Sequence, residues 1–419
     1  YWAGLDAVWR KLHTQAATRA HALTLRELAH DSRTRFWDLH AEAVYDRATD
    51  GKRKFVRCEE LFYAVPAIVP GLAPTRAEVA AEMEHKQGDK YGAEILHGIM
   101  LGKFMAIPAA GRHLTHSMLL PMESSVEAYK EYAKTGKLKL ARASVERRNG
   151  AAHVTMQHPD VLNAEDDSTN IPIEMAVDIA MMDPQSKVGI LRGDTVQHKK
   201  YAGQRIFNAG INLTHLYWGK ISYLFYITRD FGFVNKMLRG IARPDRDPSE
   251  IGGGTSEKVW IAAVDNFAIG GGCQLLLVMD YVLAAKGAYM TLPARKEGII
   301  PGAANMRLPR FVGDRITRQA IMYERRLECD SPEGRMICDE IIPAGQMEQA
   351  IERVVAGLTS SGTVSAEGNR RAMRVIQEPL DAFRTYYAAY AREQAYCHFS
   401  PALISNLERH WDAQNRKVA

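Results

Sequence analysis

The run Ala268-Ile269-Gly270-Gly271-Gly272-Cys273-Gln274-Leu275-Leu276 constrains this chain more than any other. It follows a β-prone segment, Trp260–Val264, and opens a helical one that ends near Asp280. Contiguous glycines at such a junction let a second stretch of backbone come close, and the helix start leaves N–H groups without partners. A milder version stands at Phe207-Asn208-Ala209-Gly210-Ile211-Asn212-Leu213. Alone, either turn reads as tight strand–helix packing or a generic anion site as readily as a hole for a developing oxyanion. The glycine spacing is not that of a dinucleotide fingerprint, and no Gly-Lys-Ser/Thr follows to make a P-loop.

The surroundings of these turns divide the chain into three zones. Residues 1–136 read as an N-terminal helical domain, with apolar positions at helical spacing such as Phe36, Leu39, His40 and Ala43. Within it, Ala64–Thr75 carries Pro66, Pro70 and Pro74 and is expected to be a loop, and Thr75 with Glu78 forms a capping box. Pro108 and Pro121 bracket a further break. Residues 137–343 alternate β-prone runs (Leu138–Val145, Ala152–Met156, Val188–Leu191, Trp260–Val264, Tyr281–Ala284, Tyr289–Leu292) with helical ones (Ile173–Met182, Ile221–Arg239, Gly272–Met279). That alternation predicts an α/β layer with parallel pairing. Residues 344–419 return to helix, with Met347–Leu358 and Asn369–Arg392 the clearest segments. Arg243–Thr255 is expected to be an exposed loop.

Composition narrows the function classes. With 46% hydrophobic and 25% charged residues the chain reads as an ordinary globular protein. A net charge of +5 without a basic arm, a zinc pattern or an aromatic RNA-binding signature gives no indication of nucleic-acid binding, and suits an anionic small ligand. No apolar stretch reaches membrane-spanning length. Five scattered cysteines imply a reducing compartment, so a cytoplasmic location is expected. No HExxH, facial-triad, flavin or nicotinamide pattern occurs, so neither a metal nor an organic cofactor is expected.

Taken in order, Leu162-Asn163-Ala164, Val188–Leu191, Phe207–Leu213, Asp265–Gln274, Asp280 and Gly298-Ile299-Ile300-Pro301-Gly302-Ala303 resemble the crotonase (enoyl-CoA hydratase/isomerase) superfamily over roughly residues 143–350. The resemblance implies a spiral of ββα units assembled as a homotrimer or a hexamer of two trimers. It also implies an oxyanion hole for a thioester carbonyl made by the backbone N–H groups of Ile211 and Gly271. Two departures matter. Gln274 stands where family hydratases carry one catalytic Glu, and Ala294 stands where they carry the other. An amide cannot exchange a proton as a carboxylate does, and an alanine cannot do so at all. Glu297 lies three residues beyond Ala294 and is not assigned that role. Hydration of a double bond is therefore not expected, while enolate stabilisation remains.

That combination, together with the long helical N-terminal domain, is similar to one branch of the superfamily, the cofactor-independent 3,5-dihydroxyphenylacetyl-CoA 1,2-dioxygenases of antibiotic biosynthesis. The segments that carry this likeness include Arg147–Thr155, Leu162–Asp166, Phe267–Leu277, Leu292-Pro293-Ala294 and Lys296–Arg307. The resemblance implies an aryl-acetyl-CoA and O2 as substrates. It places Glu165, His198 and Arg229 on the substrate, Gln274 in the catalytic centre, and Leu213, Ala294 and Ile299 around a dry oxygen pocket. Each has a plainer reading that the residues leave open. Glu165 could cap the next helix, His198 beside Lys199 and Lys200 could be a surface histidine or part of a CoA phosphate patch, and Arg229 could pair with Asp230 on a helix surface. Another crotonase-type isomerase, hydrolase or decarboxylase, or a non-catalytic CoA-binding protein, would share the same turns.

Overall fold

Among the described residues there are twelve strands: β1 (Lys137–Lys139), β2 (Ala143–Arg148), β3 (Ala151–Met156), β4 (Val188–Gly193), β5 (Ile241–Ala242), β6 (Thr255–Ser256), β7 (Val259–Val264), β8 (Phe267–Ile269), β9 (Tyr281–Ala285), β10 (Tyr289–Thr291), β11 (Leu327–Glu328) and β12 (Glu340–Ile342). Of these, β5, β6, β8, β11 and β12 are short pieces outside the expected β-prone runs. The structure is a computed structural model, and it describes residues 1–13, 19–248 and 254–418. Seven strands make the main sheet in the order β1-β2-β3-β4-β7-β9-β12. The first three pair antiparallel, and from β3 onward every pairing is parallel. All six residues of β7 are buried, as a parallel strand covered on both faces requires.

The two faces of that sheet serve different cores. Val154, Leu191, Ala262 and Val282 lie in register and pack with Ile173, Ala176 and Val177 of the helix Asn170–Met182. Their neighbours Val188, Ile190, Ile261 and Leu283 point the other way, onto Met347, Ile351 and Val354 of the helix Met347–Thr359. The alternation follows from the two-residue period of a strand.

A second, shorter layer positions the site. β8 pairs parallel with β10, and β11 closes that edge. On the other side of β8 the ladder continues through single parallel bridges, Asn208 to Ala268 and then Glu165 to Ile211. Each main strand is thus followed by a short pairing segment and a helix. The sequence β7, β8, helix Gly271–Leu276 repeats as β9, β10, helix Ala294–Glu297. Looser versions are β4, residues 208–211, helix Leu213–Tyr217, and β3, Glu165, helix Asn170–Met182. This is the expected spiral of ββα units.

Several expected elements change at their ends. The run Leu138–Val145 splits into β1 and β2, a hairpin rather than one strand. Ile221–Arg239 breaks into helices Tyr223–Arg229 and Asn235–Arg239 around a kink at Gly232, where a Cβ would lie 2.5 Å from Glu174 Oε2. Asn369–Arg392 breaks at Pro379 into Val364–Gln377 and Leu380–His398, because proline disfavours helix at the residue before it. The expected loop Ala64–Thr75 begins only after Ile68, since the helix Cys58–Ile68 accommodates Pro66 near its end. The capping box is present, with Thr75 Oγ1 accepting from Glu78 N and Glu78 accepting from Thr75 N. Pro108 starts the helix Pro108–Leu119 at its first turn. Part of the loop expected at Arg243–Thr255 lies outside the described residues.

The helical ends of the chain meet. Trp37, Tyr45, Phe62 and Phe104 share one core with Phe383, Tyr387, Ala391 and Leu403, and with Ile211, Tyr223, Ile227 and Phe231 from the middle of the chain. Helix Ile95–Ala106 lies so close to helix Leu380–His398 that a Cβ on Gly98 would meet Ala391 O at 2.6 Å. Residues 344–419 therefore divide: helix Met347–Thr359 covers the sheet, and the helices after Pro379 join the N-terminal ones.

Candidate active site

The site begins where the two glycine turns touch. In the bridge between Glu165 and Ile211, Glu165 N donates to Gly210 O at 2.7 Å and Asn212 N donates to Glu165 O at 2.8 Å. That pattern turns the N–H of Ile211 to the opposite side, away from Glu165. There the Gly270–Gly271 turn approaches: a Cβ on Gly210 would lie 2.9 Å from Ile269 O and 3.4 Å from Gly271 N. Gly270 has φ +51°, a conformation L side chains rarely adopt, and Gly271 then opens the helix as its first residue. Neither Ile211 N nor Gly271 N donates to any described acceptor. Two backbone donors are thus left free on adjoining turns.

A buried ionic knot holds them in place. Arg229, at the end of helix Tyr223–Arg229, reaches back with Nη2 to Gly271 O at 2.9 Å and to Glu165 Oε1 at 3.1 Å. Its Nε donates to Glu165 Oε2, and its Nη1 donates to Asp230 Oδ1 at 2.9 Å and to Gln274 Oε1 at 3.0 Å. Asn208 Nδ2 donates to Glu165 Oε1 at 3.0 Å, and Tyr387 OH donates to Asp230 Oδ2 at 2.7 Å. Burial disfavours the Arg229 charge, but Glu165 and Asp230 outweigh it and hold the guanidinium above its usual pKa. Gly271 must be glycine for this knot, since a Cβ there would sit 2.8 Å from Glu165 Oε1.

The turns and the knot form part of the lining of a narrow cleft, about 460 Å³ when the open solvent at its mouth is included. Of the residues expected in the site, Glu165, Ile211, Arg229, Gly271, Gln274, Ala294 and Ile299 line it. Leu213 stands outside the cleft, half-buried against the helical core. His198 is also outside, exposed on the loop before β-residue Arg205, with its Nδ1 accepting from Lys200 N at 3.4 Å. Arg229 is no helix-surface residue: it is 3% exposed.

Other residues of the cleft were not assigned to it from the sequence. Phe225, Tyr226 and Tyr390 make an aromatic side, the last from the C-terminal helix Leu380–His398. Glu297 also lines it, on the short helix Ala294–Glu297. Residues three apart share a helix face, so the same turn that brings Ala294 to the cleft brings Glu297. That spacing is a signal the sequence held. Burial, with a contribution from Glu324, pushes the Glu297 carboxyl up to about 7. Among the described residues no group of His, Cys, Asp and Glu converges in the manner of a metal site. No helix among them is long and apolar enough to cross a membrane.

A family model described as enoyl-CoA hydratase/isomerase matches residues 254–390. A (3,5-dihydroxyphenyl)acetyl-CoA 1,2-dioxygenase of Amycolatopsis orientalis is 43% identical over 383 residues, covering 91% of this chain and 86% of that one. A crotonyl-CoA hydratase of Syntrophomonas wolfei is 23% identical over 260 residues, 60% of this chain and 91% of its own. Among solved structures, an enoyl-CoA hydratase from Mycobacterium avium subsp. paratuberculosis K-10 superposes with a TM-score of 0.52 at 21% identity, over 64% of this chain and 98% of that one. A carnitinyl-CoA hydratase from Mycobacterium avium gives 0.53 at 21% identity, over 67% and 99%. The structural likenesses are those of the fold.

Proposed function

Because the chain belongs to the enoyl-CoA hydratase/isomerase (crotonase) family, we propose that it is a dioxygenase converting 3,5-dihydroxyphenylacetyl-CoA and O2 to 3,5-dihydroxyphenylglyoxylate and free CoA, without metal or organic cofactor. One observation carries the reading. Two backbone N–H groups without a described partner, of Ile211 and Gly271, border a cleft lined by Gln274 and Ala294, which stand where the family resemblance puts the hydratase carboxylates. The 43% identity to the Amycolatopsis enzyme supplies the substrate class.

Ground-state O2 is a triplet and reacts poorly with closed-shell molecules, whereas an electron-rich carbanion can pass it one electron. The α-proton of an aryl-acetyl thioester is acidified by both thioester and ring. Its loss gives an enolate whose oxygen the two N–H groups hold, and each such donor contributes about 3–4 kcal/mol to lowering a barrier. Oxygen couples at the α-carbon to give a peroxide, which attacks the thioester carbonyl and expels CoA. Loss of the second α-proton with cleavage of the O–O bond leaves the keto acid. Both oxygen atoms enter the product, and the two hydrogens end on the carboxyl group and the thiol. The Arg229 knot orients the Gly271 peptide, Glu165 faces the ring hydroxyls, and Ala294 with Ile299 leaves room for the gas. The family resemblance extends the proposal to a trimer or a pair of trimers, which sedimentation would resolve.

The test is incubation with 3,5-dihydroxyphenylacetyl-CoA, following O2 uptake and free thiol together. Equal amounts of O2 consumed and CoA released, undiminished by a chelator, are expected. Turnover continuing at the same rate without O2 would replace this reading with that of an isomerase, hydrolase or decarboxylase.

A further inference from the structure

A carbanion at the α-carbon needs a group to take the proton, and the cleft offers few. Glu165 is bound by two nitrogens of Arg229 and by Asn208. Asp230 accepts from Arg229 Nη1 and from Tyr387 OH. Gln274 is an amide, and burial holds the phenols of Tyr226 and Tyr390 well above their usual pKa. Glu297 differs from all of these. Its side chain is 8% exposed and lines the cleft, yet among the described residues its carboxylate neither accepts a hydrogen bond nor pairs with a cation. The nearby cations Arg295 and Lys296 turn outward to Glu324 instead. Glu297 Oε1 would lie only 3.8 Å from a Cβ built on Gly270, so it stands against the turn that presents the Gly271 N–H.

We propose that Glu297 is the base that removes the α-proton of the bound aryl-acetyl thioester. The inference rests on the thioester reading of the same cleft. In the step, the α C–H bond breaks, its electron pair becomes the enolate double bond, and the thioester oxygen takes the negative charge beside Ile211 N and Gly271 N. The proton moves to a Glu297 carboxylate oxygen. An unpaired buried carboxylate is suited to this, because no ion pair must be broken before it accepts a proton. A pKa near the working pH also favours general-base catalysis, and burial brings the Glu297 carboxyl to about 7. The position differs from Gln274 and Ala294, where the family resemblance puts the hydratase carboxylates, and lies three residues beyond Ala294 on the same short helix.

The experiment compares the unaltered protein with Glu297→Gln and Glu297→Asp, using 3,5-dihydroxyphenylacetyl-CoA in D2O without oxygen. Exchange of the α-hydrogen is read by mass spectrometry, binding by calorimetry and folding by thermal melting. Glu297→Gln should slow exchange by about 10²–10⁴-fold, the usual worth of a positioned base, with the dissociation constant changed less than about threefold and Glu297→Asp intermediate. Exchange by Glu297→Gln within about threefold of the unaltered rate, with binding retained, overturns the proposal. If the unaltered protein returns its proton without exchange, aerobic CoA release from the α-dideuterated thioester decides. Equal rates for Glu297→Gln then overturn it, and a slowed step with a primary isotope effect supports it. Exchange that depends on Glu297 without any O2 uptake leaves this assignment standing and defeats the dioxygenase reading. A protein with neither exchange nor turnover defeats both.

Discussion

Two buried carboxylates face the same cleft and live under opposite conditions. Glu165 is 1% exposed and surrounded by donors from Arg229 and Asn208. Glu297 is 8% exposed and has none among the described residues. Burial alone penalises a charge in both places, so the partner decides what each can do. A paired carboxylate becomes scaffold, here fixing the Gly271 peptide. An unpaired one keeps its affinity for a proton. The proposed enolate chemistry makes both demands, for a rigid set of donors and for a mobile proton.

The largest effect should come from turning the first case into the second. Arg229→Met strands Glu165 and Asp230 without their cation and should cost about 3–5 kcal/mol of stability by denaturant titration, with activity lost. Adding Glu165→Gln should recover part of the stability and none of the turnover. Gly271→Ala drives a methyl to 2.8 Å from Glu165 Oε1 and displaces the donor peptide. Its kcat should fall about 10²–10³-fold.

The unpaired carboxylate leaves a signature in stability. Its folded pKa, about 7, exceeds the ordinary carboxyl value of 4.5. The folded state therefore holds the proton more tightly, and this favourable contribution is complete below about 4.5 and lost as pH rises through about 7. Glu297→Gln should match the unaltered protein near pH 4 and exceed it near pH 8 by on the order of 3 kcal/mol, read as a Tm difference that grows across that window. A Tm difference independent of pH would show that Glu297 is not held unpaired. The apolar side should respond more mildly: Ala294→Leu should raise the KM for O2 about tenfold while the thioester binds as before. Smallest is His198→Ala. The side chain is exposed outside the cleft, and turnover should change less than about threefold.

Local pattern accounts for what could be read in advance. The strand and the helix flanking the glycines at Trp260–Leu276 were legible because a β-prone run, contiguous glycines and a helix start stand close together, while the short β8 between them was not. The family resemblance, and not the pattern alone, singled out Ile211 and Gly271 as the donors; backbone donors depend on chain path rather than side chain, so the pattern leaves their side chains free. What could not be read depends on partners far along the chain. The Arg229–Glu165 pair joins residues 64 apart, and nothing local distinguishes it from a surface pair of Arg229 with Asp230. The kink at Gly232 answers to Glu174 on another helix. Tyr390 enters the cleft only because helix Leu380–His398 lies on helix Ile95–Ala106. His198 illustrates the opposite case: the sequence singled it out, while the loop that carries it runs along the surface outside the cleft. Glu297 shares a helix face with Ala294 and so was placed by spacing, but nothing local shows that its carboxylate has no partner among the described residues.

The pairing of those two helices also sets a timetable for synthesis. Helix Ile95–Ala106 is almost wholly buried, and Gly98 meets Ala391 only after nearly three hundred further residues have been made. At roughly 5–20 residues per second, an apolar surface built early waits roughly 15–60 s for its cover. During that interval the nascent chain is a natural client for chaperones. The cleft, lacking Tyr390, is unfinished as well, so a ribosome-bound chain would carry the free donors of the two glycine turns without the wall that keeps water from them.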